Sequence, residues 1–475
     1  MLWSAVDNVS ANAVHFVVGI ILARLLTPRE FGLIGMITIF IAISQTFVDS
    51  GFGSALIRKK HCSQTDYSTV FFYNMAVGLL MYALLFFAAG PISAFYDEPL
   101  LKPMVRVLGL NLIINSYTII QSVNLTRRID FKLKAKISVI ASVASGTLGI
   151  AMAYGGYGVW SLVARIVAGT LITSLLLWVW NRWRPSLVFS KAAFKELFGF
   201  GSKLLASSLI DTTYRNIYLL IIGKFFSAQQ LGYYTRADQF KSFPSQNIMS
   251  IMSRVTYPVL AQLQDEPSRL KTGYKQMITT TTFLTFTLMI GMAAVAEPMV
   301  IVLIGEQWRP SIIYLQLLCF VGMMFPLQSL NLNMLKVKGR SDLFLKLEII
   351  KKLMAVPVIV IGVHYGIMVM ILGMCVNSLI AYYLNSFWSG RLIQYPMREQ
   401  LKDILPSFVA ALAVGIMVFI TGFYTGFGYK TTLALQLLVG AFVVITIGEL
   451  FRLAPYLYIK DIILTKIKAI VHARK

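Results

Sequence analysis

Charge is what this 475-residue chain has least of. Only 13% of its residues are Asp, Glu, Lys or Arg, about half the share found in soluble proteins. That excludes a free-standing soluble domain, which needs a charged surface to stay in water. Acid is scarcer still: 20 Asp and Glu stand against 43 Lys and Arg, a net charge of +23. Cysteine is nearly missing. Cys62, Cys319 and Cys375 are far apart, which excludes a disulfide framework or a cysteine metal site. The four histidines, His15, His61, His364 and His472, do not cluster, and each reads as packing or surface. No P-loop, His/carboxylate metal set or nucleophile constellation occurs. Neither a cofactor nor an enzymatic activity is therefore expected, and there is no site for ATP.

What the chain has instead is apolar length. Hydrophobic residues make up 57% of it, and runs of roughly twenty recur throughout, the signature of membrane-spanning helices. Fourteen spans are expected, near 3–26, 31–56, 68–95, 100–123, 135–155, 157–181, 197–222, 230–258, 276–303, 310–335, 343–363, 366–389, 404–425 and 431–451. The weakest are 100–123, with Asn111 and Asn115, and 230–258, with Arg236, Asp238 and Lys241. The first run lacks a basic flank and a small-residue cleavage site, so it reads as a retained helix.

Fourteen spans sort the basic residues. Loops and adjoining span ends on the N-terminal side of the membrane, with the C-terminal tail, hold thirty Lys and Arg, among them Arg58–Lys60, Arg127, Arg128, Arg182 and Arg184. The opposite loops hold five: Arg29, Lys102, Lys224, Arg309 and Lys430. Positive charge concentrates on the cytoplasmic side, so both termini are expected there. The basicity serves topology and anionic lipid, not nucleic acid.

The chain also repeats itself. Residues 25–34 read LLTPREFGLI and residues 225–234 read FFSAQQLGYY. Thr27 to Glu30 and Ser227 to Gln230 both fit a capping box at a tight turn between helices. RIDFKLK at 128–134 returns as RSDLFLK at 340–346, Tyr157-Gly158 as Tyr365-Gly366, and Asn124 as Asn333. These landmarks keep their order and their place in the topology. The expected architecture is an all-α polytopic membrane protein of about fourteen helices. It comprises two parallel six-helix lobes, 1–190 and 197–398, then two further helices within 402–452. Residues 456–475 form a cytoplasmic amphipathic tail, with Ile459, Ile462, Ile463, Ile467 and Ile470 along one face.

Five stretches narrow the class: ARLLTPREFGLIGM, VDSGFGSALIRKK, GKFFSAQQLGYYTRADQF, SRVTYPVLAQLQ and LIGEQWRPSIIYLQLLCFVG. In that order they resemble the polysaccharide transporter branch of the MOP exporter superfamily, the Wzx-type flippases, and within it the colanic-acid and teichuronic-acid type. The resemblance covers essentially the whole chain. It implies transfer of an undecaprenyl-pyrophosphate-linked oligosaccharide across the cytoplasmic membrane by alternating access, for cell-surface polysaccharide synthesis. Expected partners are that lipid-linked glycan, membrane lipids, and polysaccharide polymerase and export proteins. The rivals are a cation-coupled drug exporter of the same superfamily and, further off, a membrane glycan polymerase or transferase. Short outer loops argue against the latter, and a cationic interior argues against a cation substrate.

Ionisable residues inside spans are costly and become functional candidates. The cations that could hold a pyrophosphate are Arg165, Arg215, Arg254, Arg236, Lys241 and Arg24, with Arg165 foremost because no acid lies near it in sequence. Asp49, Asp211 and Asp7 are candidate coupling carboxylates. Each has a structural rival. Arg24 can snorkel to the surface. Asp211 with Arg215, and Asp238 with Lys241, are spaced to pair along one helix. Asp49, just before Gly51 and Gly53, fits a helix kink as well as coupling. Asn8, Ser10, Asn12, Asn111, Asn115, Tyr117, Gln121, Gln328, Asn331 and Asn333 could line a glycan cavity or simply hydrogen-bond between helices.

Overall fold

A computed structural model describes residues 2–472; the side chains of residues 2–12, 251, 253–255, 257, 463 and 466–472 lie outside the described set. The helices in chain order are α1 (Leu2–Leu25), α2 (Pro28–Asp49), α3 (Phe52–Arg58), α4 (Gln64–Tyr96), α5 (Leu101–Arg127), α6 (Phe131–Tyr154), α7 (Val159–Trp180), α8 (Lys191–Phe225) and α9 (Ala228–Gln262). They continue as α10 (Pro267–Ala294), α11 (Ala296–Ile304), α12 (Ser311–Val337), α13 (Ser341–Tyr365), α14 (Ile367–Leu392), α15 (Met397–Tyr424), α16 (Tyr429–Leu450) and α17 (Ala454–His472). No strand occurs among the described residues.

Ten of these segments are long and apolar enough to cross a membrane, among the described residues: α2 with α3, then α4, α5, α6, α7, α10, α12, α14, α15 and α16. The chain is a multi-pass membrane protein. The expected weak span at 100–123 is one of the ten. Helices α8, α9 and α13 are not, because each carries charge within its length: Lys203, Asp211 and Arg215; Arg236, Asp238 and Lys241; Lys346, Glu348, Lys351 and Lys352. The described apolar stretch of α1, Ala13–Leu25, is short. Large side chains such as Phe87 and Phe442 are exposed, which water would penalise and lipid does not.

Turns follow local chemistry. At Thr27 the backbone N–H donates to Glu30 Oε2 at 2.6 Å. At Ser227 the hydroxyl accepts from the Gln230 N–H at 3.1 Å. The third such turn, unremarked in the sequence, is Ser63 with Asp66, closed reciprocally at 3.1 and 2.8 Å. Asp130 caps α6 by accepting from the Leu133 N–H at 3.0 Å, whereas its echo Asp342 receives both arms of the Arg340 guanidinium. The repeated motif is thus used in two ways.

The chain divides into two compact units, residues 1–235 and 236–475. In the first, α4 packs on α5, α1 on α6, α6 on α7 and α2 on α8. Lipid offers no hydrophobic drive to join helices, so close approach through small residues must do it. Ser145 and Gly146 of α6 meet Gly169 of α7 and Val18 of α1. The sequence SVASGTLGIAMAYGGYG is a packing surface of this kind. An aromatic core of Phe52, Phe71, Trp183 and their neighbours fills the end of the unit near α3.

The two echoed turns touch. A Cβ built on Gly32 would lie 1.6 Å from the Ala228 carbonyl oxygen, and one on Gly232 would lie 1.9 Å from that of Pro28. Gly32 and Gly232 are echo partners, as are Pro28 and Ala228, so the contact is reciprocal. The two matching sequence stretches therefore meet face to face.

In the second unit α10 packs on α12 and α15, α12 and α13 on α14, and α15 on α16. Helix α17 is tied back to α16: the Tyr456 hydroxyl donates to Glu449 at 3.0 Å, and Lys460 pairs with the same carboxylate. Of the expected apolar face of the tail, Ile463, Ile467 and Ile470 lie outside the described side chains.

Candidate functional site

The charged groups set into the helices fall into separate clusters. In the first unit, α7 carries a single charged residue, Arg165. A Cβ on Gly149 of α6 would sit 2.9 Å from the Arg165 Cβ, so the absent side chain is what lets the arginine stem approach α6. The guanidinium reaches α1, where Arg165 Nη2 lies 3.1 Å from His15 Nδ1. The other ring nitrogen, Nε2, lies 3.1 Å from Ser142 Oγ on α6. Arg165 thus has a partner 150 positions away, and it is a histidine, not an acid. Reading the histidines as packing or surface missed this one; its position within an apolar run was the available signal.

Asp49 closes α2. Its carboxylate accepts from Gln45 Nε2 at 3.2 Å, and Gln45 Oε1 accepts from Asn115 Nδ2 of α5 at 3.0 Å. Ser50 and Gly51, at φ 47° and 69°, then break the helix. At 51 only glycine fits, because the turn is left-handed and a Cβ would lie 2.5 Å from the Gly201 carbonyl oxygen. One turn earlier, Thr46 Oγ1 meets Thr212 Oγ1 of α8 at 3.2 Å. Asp49 is therefore both an exposed carboxylate and the end of a kinked helix.

Asp211 and Arg215 of α8 pair along their own helix at 2.8 Å, Arg215 exposed and Asp211 half-buried. Arg24 is exposed near the end of α1. The side chains of Asp7 and Arg254 lie outside the described residues.

In the second unit Arg236 is buried, donates to Gln239 Oε1, and has its guanidinium 5.9 Å from the centroid of the fully buried Trp308 ring. Lys241 pairs with Asp238 at 2.6 Å, its stem running across Gly322, where a Cβ would lie 2.7 Å from Lys241 Cγ. Gln121, Gln328 and Asn331 join helices or turns through hydrogen bonds. Gln121 donates to the Trp183 carbonyl at 3.2 Å, Gln328 to that of Ser378 at 2.9 Å, and Asn331 accepts from Ser389. Asn111 is buried with no partner for its Oδ1 among the described residues.

Apolar spans, small-residue packing and charged groups held within helices define a polytopic α-helical membrane protein. The chain belongs to the polysaccharide biosynthesis protein family, whose model matches residues 21–313. It is 27% identical over 424 residues to the teichuronic acid biosynthesis protein TuaB of Bacillus subtilis (strain 168), covering 88% of this chain and 87% of that one. It is 25% identical over 434 residues to the lipopolysaccharide biosynthesis protein WzxC of Escherichia coli (strain K12), with the same coverage. Its fold is similar to that of the lipid II flippase MurJ in an inward closed conformation, with TM-score 0.77, 12% identity, and 95% and 99% of the two chains covered. A multidrug MATE transporter of the MOP superfamily in an inward-facing conformation is more distant, at TM-score 0.62 with 16% identity, covering 82% of this chain and 94% of that one.

Proposed function

We propose that this protein is a flippase that moves an undecaprenyl-pyrophosphate-linked oligosaccharide across the cytoplasmic membrane for cell-surface polysaccharide synthesis. The observation that carries the reading is family membership over residues 21–313, with relatives named for teichuronic acid and lipopolysaccharide biosynthesis. Charge chemistry supports it. A pyrophosphate needs cations, and Arg165, Arg236 and Lys241 are held by histidine, glutamine and aspartate partners.

In this reading α1, α8, α9 and α13 cross the membrane with the other ten segments. That makes fourteen helices, two parallel six-helix lobes over 1–190 and 197–398, and both termini in the cytoplasm. The 30-to-5 split of basic loop residues supports that orientation. The lobes alternate access around the glycan lipid, driven by an ion gradient or by product consumption outside. Cleft cations Arg165, Arg215, Arg254, Arg236, Lys241 and Arg24 hold the pyrophosphate. Asp49, Asp211 and Asp7 are the carboxylates available for coupling. A polysaccharide polymerase and export proteins take the product.

Deleting the gene in its host and extracting lipid-linked glycans tests the reading. Accumulation of a complete repeat unit on undecaprenyl pyrophosphate, held in the inner leaflet, is the expected result. A truncated or missing lipid would make the protein an enzyme. An unchanged lipid pool with new drug sensitivity would make it a drug exporter.

A further inference from the structure

The His15–Arg165 contact has only one protonation state that works. A guanidinium donates hydrogen bonds and accepts none, so His15 Nδ1, 3.1 Å from Arg165 Nη2, must be the acceptor. The ring is then neutral with its proton on Nε2, which donates to Ser142 Oγ at 3.1 Å. Nδ1 is the only nitrogen on which this imidazole can take a second proton. A proton there puts an N–H against an N–H and a cation against a cation, and the contact must open.

Among the described side chains of α1, α6 and α7 there is no acid to offset that charge; of α2 and α5, which also pack on α7, only α2 carries acids, Glu30 and Asp49, one at each end. Helix α6 presents Ser142, and its only charged residues, Lys132, Lys134 and Lys136, lie in its first two turns. Helix α7 carries Arg165 alone. On α1, Arg24 is nine positions away and of like sign, and Asp7 lies eight positions away with its side chain outside the described residues. The pair is not sealed into the packing: His15 is exposed and Arg165 half-buried.

We infer that His15 and Arg165 form a proton-linked anion site, in which protonation of His15 at Nδ1 releases the Arg165 guanidinium to hold a pyrophosphate diester. The inference rests on the flippase reading and names its linked ion as the proton. Linkage is reciprocal. The bound anion draws Arg165 away from His15 and offsets the imidazolium charge, so it favours the proton as much as the proton favours it. Gly149 positions Arg165 for this exchange by admitting its stem against α6.

The test uses the full-length protein in nanodiscs and a short-chain isoprenyl-pyrophosphoryl-N-acetylglucosamine, a diester whose charge is constant over the range used. Binding is measured from about pH 8 to about pH 5.5, across which an imidazole titrates. The native protein is expected to bind about tenfold or more tightly at the acid end. His15→Gln keeps an acceptor for Arg165 and a donor for Ser142 but cannot titrate, and its affinity should be flat with pH. Arg165→Gln should bind weakly throughout. Nitrogen-15 histidine spectra of the native protein at about pH 8 should show the Nε2–H tautomer for His15, with a titration midpoint that rises when the diester binds. Unchanged pH dependence in His15→Gln, or an Nδ1–H tautomer, overturns the inference and leaves the flippase reading standing. Native protein that binds no diester at any pH overturns both.

Discussion

The Arg127 guanidinium at the end of α5 lies 2.8 Å from the Cys62 thiol and closes the loop that holds it. The same side chain donates to the carbonyls of Leu56, Lys59 and Lys60. Those carbonyls lie in the last turn of α3 and just beyond it, so one planar fork satisfies what a capping residue would. Arg127→Ala is expected to cost about 1.5–3 kcal/mol, the usual loss for charge-assisted hydrogen bonds. Arg127→Lys should fall between, because an ammonium lacks the fork. Thermal unfolding in detergent measures both.

The reciprocal glycine contact predicts an asymmetry between glycines. Gly32→Ala and Gly232→Ala each drive a methyl into a backbone carbonyl that cannot rotate aside, and should cost about 3 kcal/mol or more. Gly291→Ala, inside α10 with no neighbour within 4 Å, should instead stabilise by about 0.5–1 kcal/mol through helix propensity. Melting temperatures of the three variants in one detergent check the contrast.

Lys59 sets a pH limit at the loop between α3 and α4 of the first unit. Its ammonium donates to Glu196 at 2.9 Å and to Asp66 at 3.2 Å. These partners, Glu196 first, raise its pKa above the usual 10.5. A folded-state pKa above the unfolded one adds stability that is full below pH 10.5 and lost as pH rises through the folded value. The stability difference between the native protein and Lys59→Met should therefore shrink in the alkaline range above that point. It should shrink also at high salt, because the cluster is partly exposed. Unfolding curves taken against pH and against salt measure it.

Asp49→Asn separates charge from shape. An asparagine oxygen still accepts from Gln45, so the network to Asn115 and the kink at Ser50 should survive, with an unchanged melting temperature. If the carboxylate couples an ion to transport, clearance of the lipid-linked glycan should slow by about tenfold or more. Quantifying that lipid in cells carrying the variant decides it. Equal clearance would leave Asp49 as a helix end only.

Much of this protein was written locally. A chain with 13% charge and repeated apolar runs of about twenty residues satisfies its backbone in lipid by forming helices, since barrel strands are half that length, so a helical, multi-pass protein followed from composition and run length. The turns at Thr27 and Ser227, and the pairing of Asp211 with Arg215, were legible because the partners are three or four residues apart. What the tertiary structure alone decided are contacts between distant positions. Gly32 against Ala228, Arg165 against His15, and Arg127 around the 56–62 loop join residues from 65 to more than 190 positions apart. In a membrane both faces of a helix are apolar, so hydrophobic periodicity does not say which face meets a neighbour. Small residues and single polar groups choose the contact, and their partners exist only once the helices are side by side.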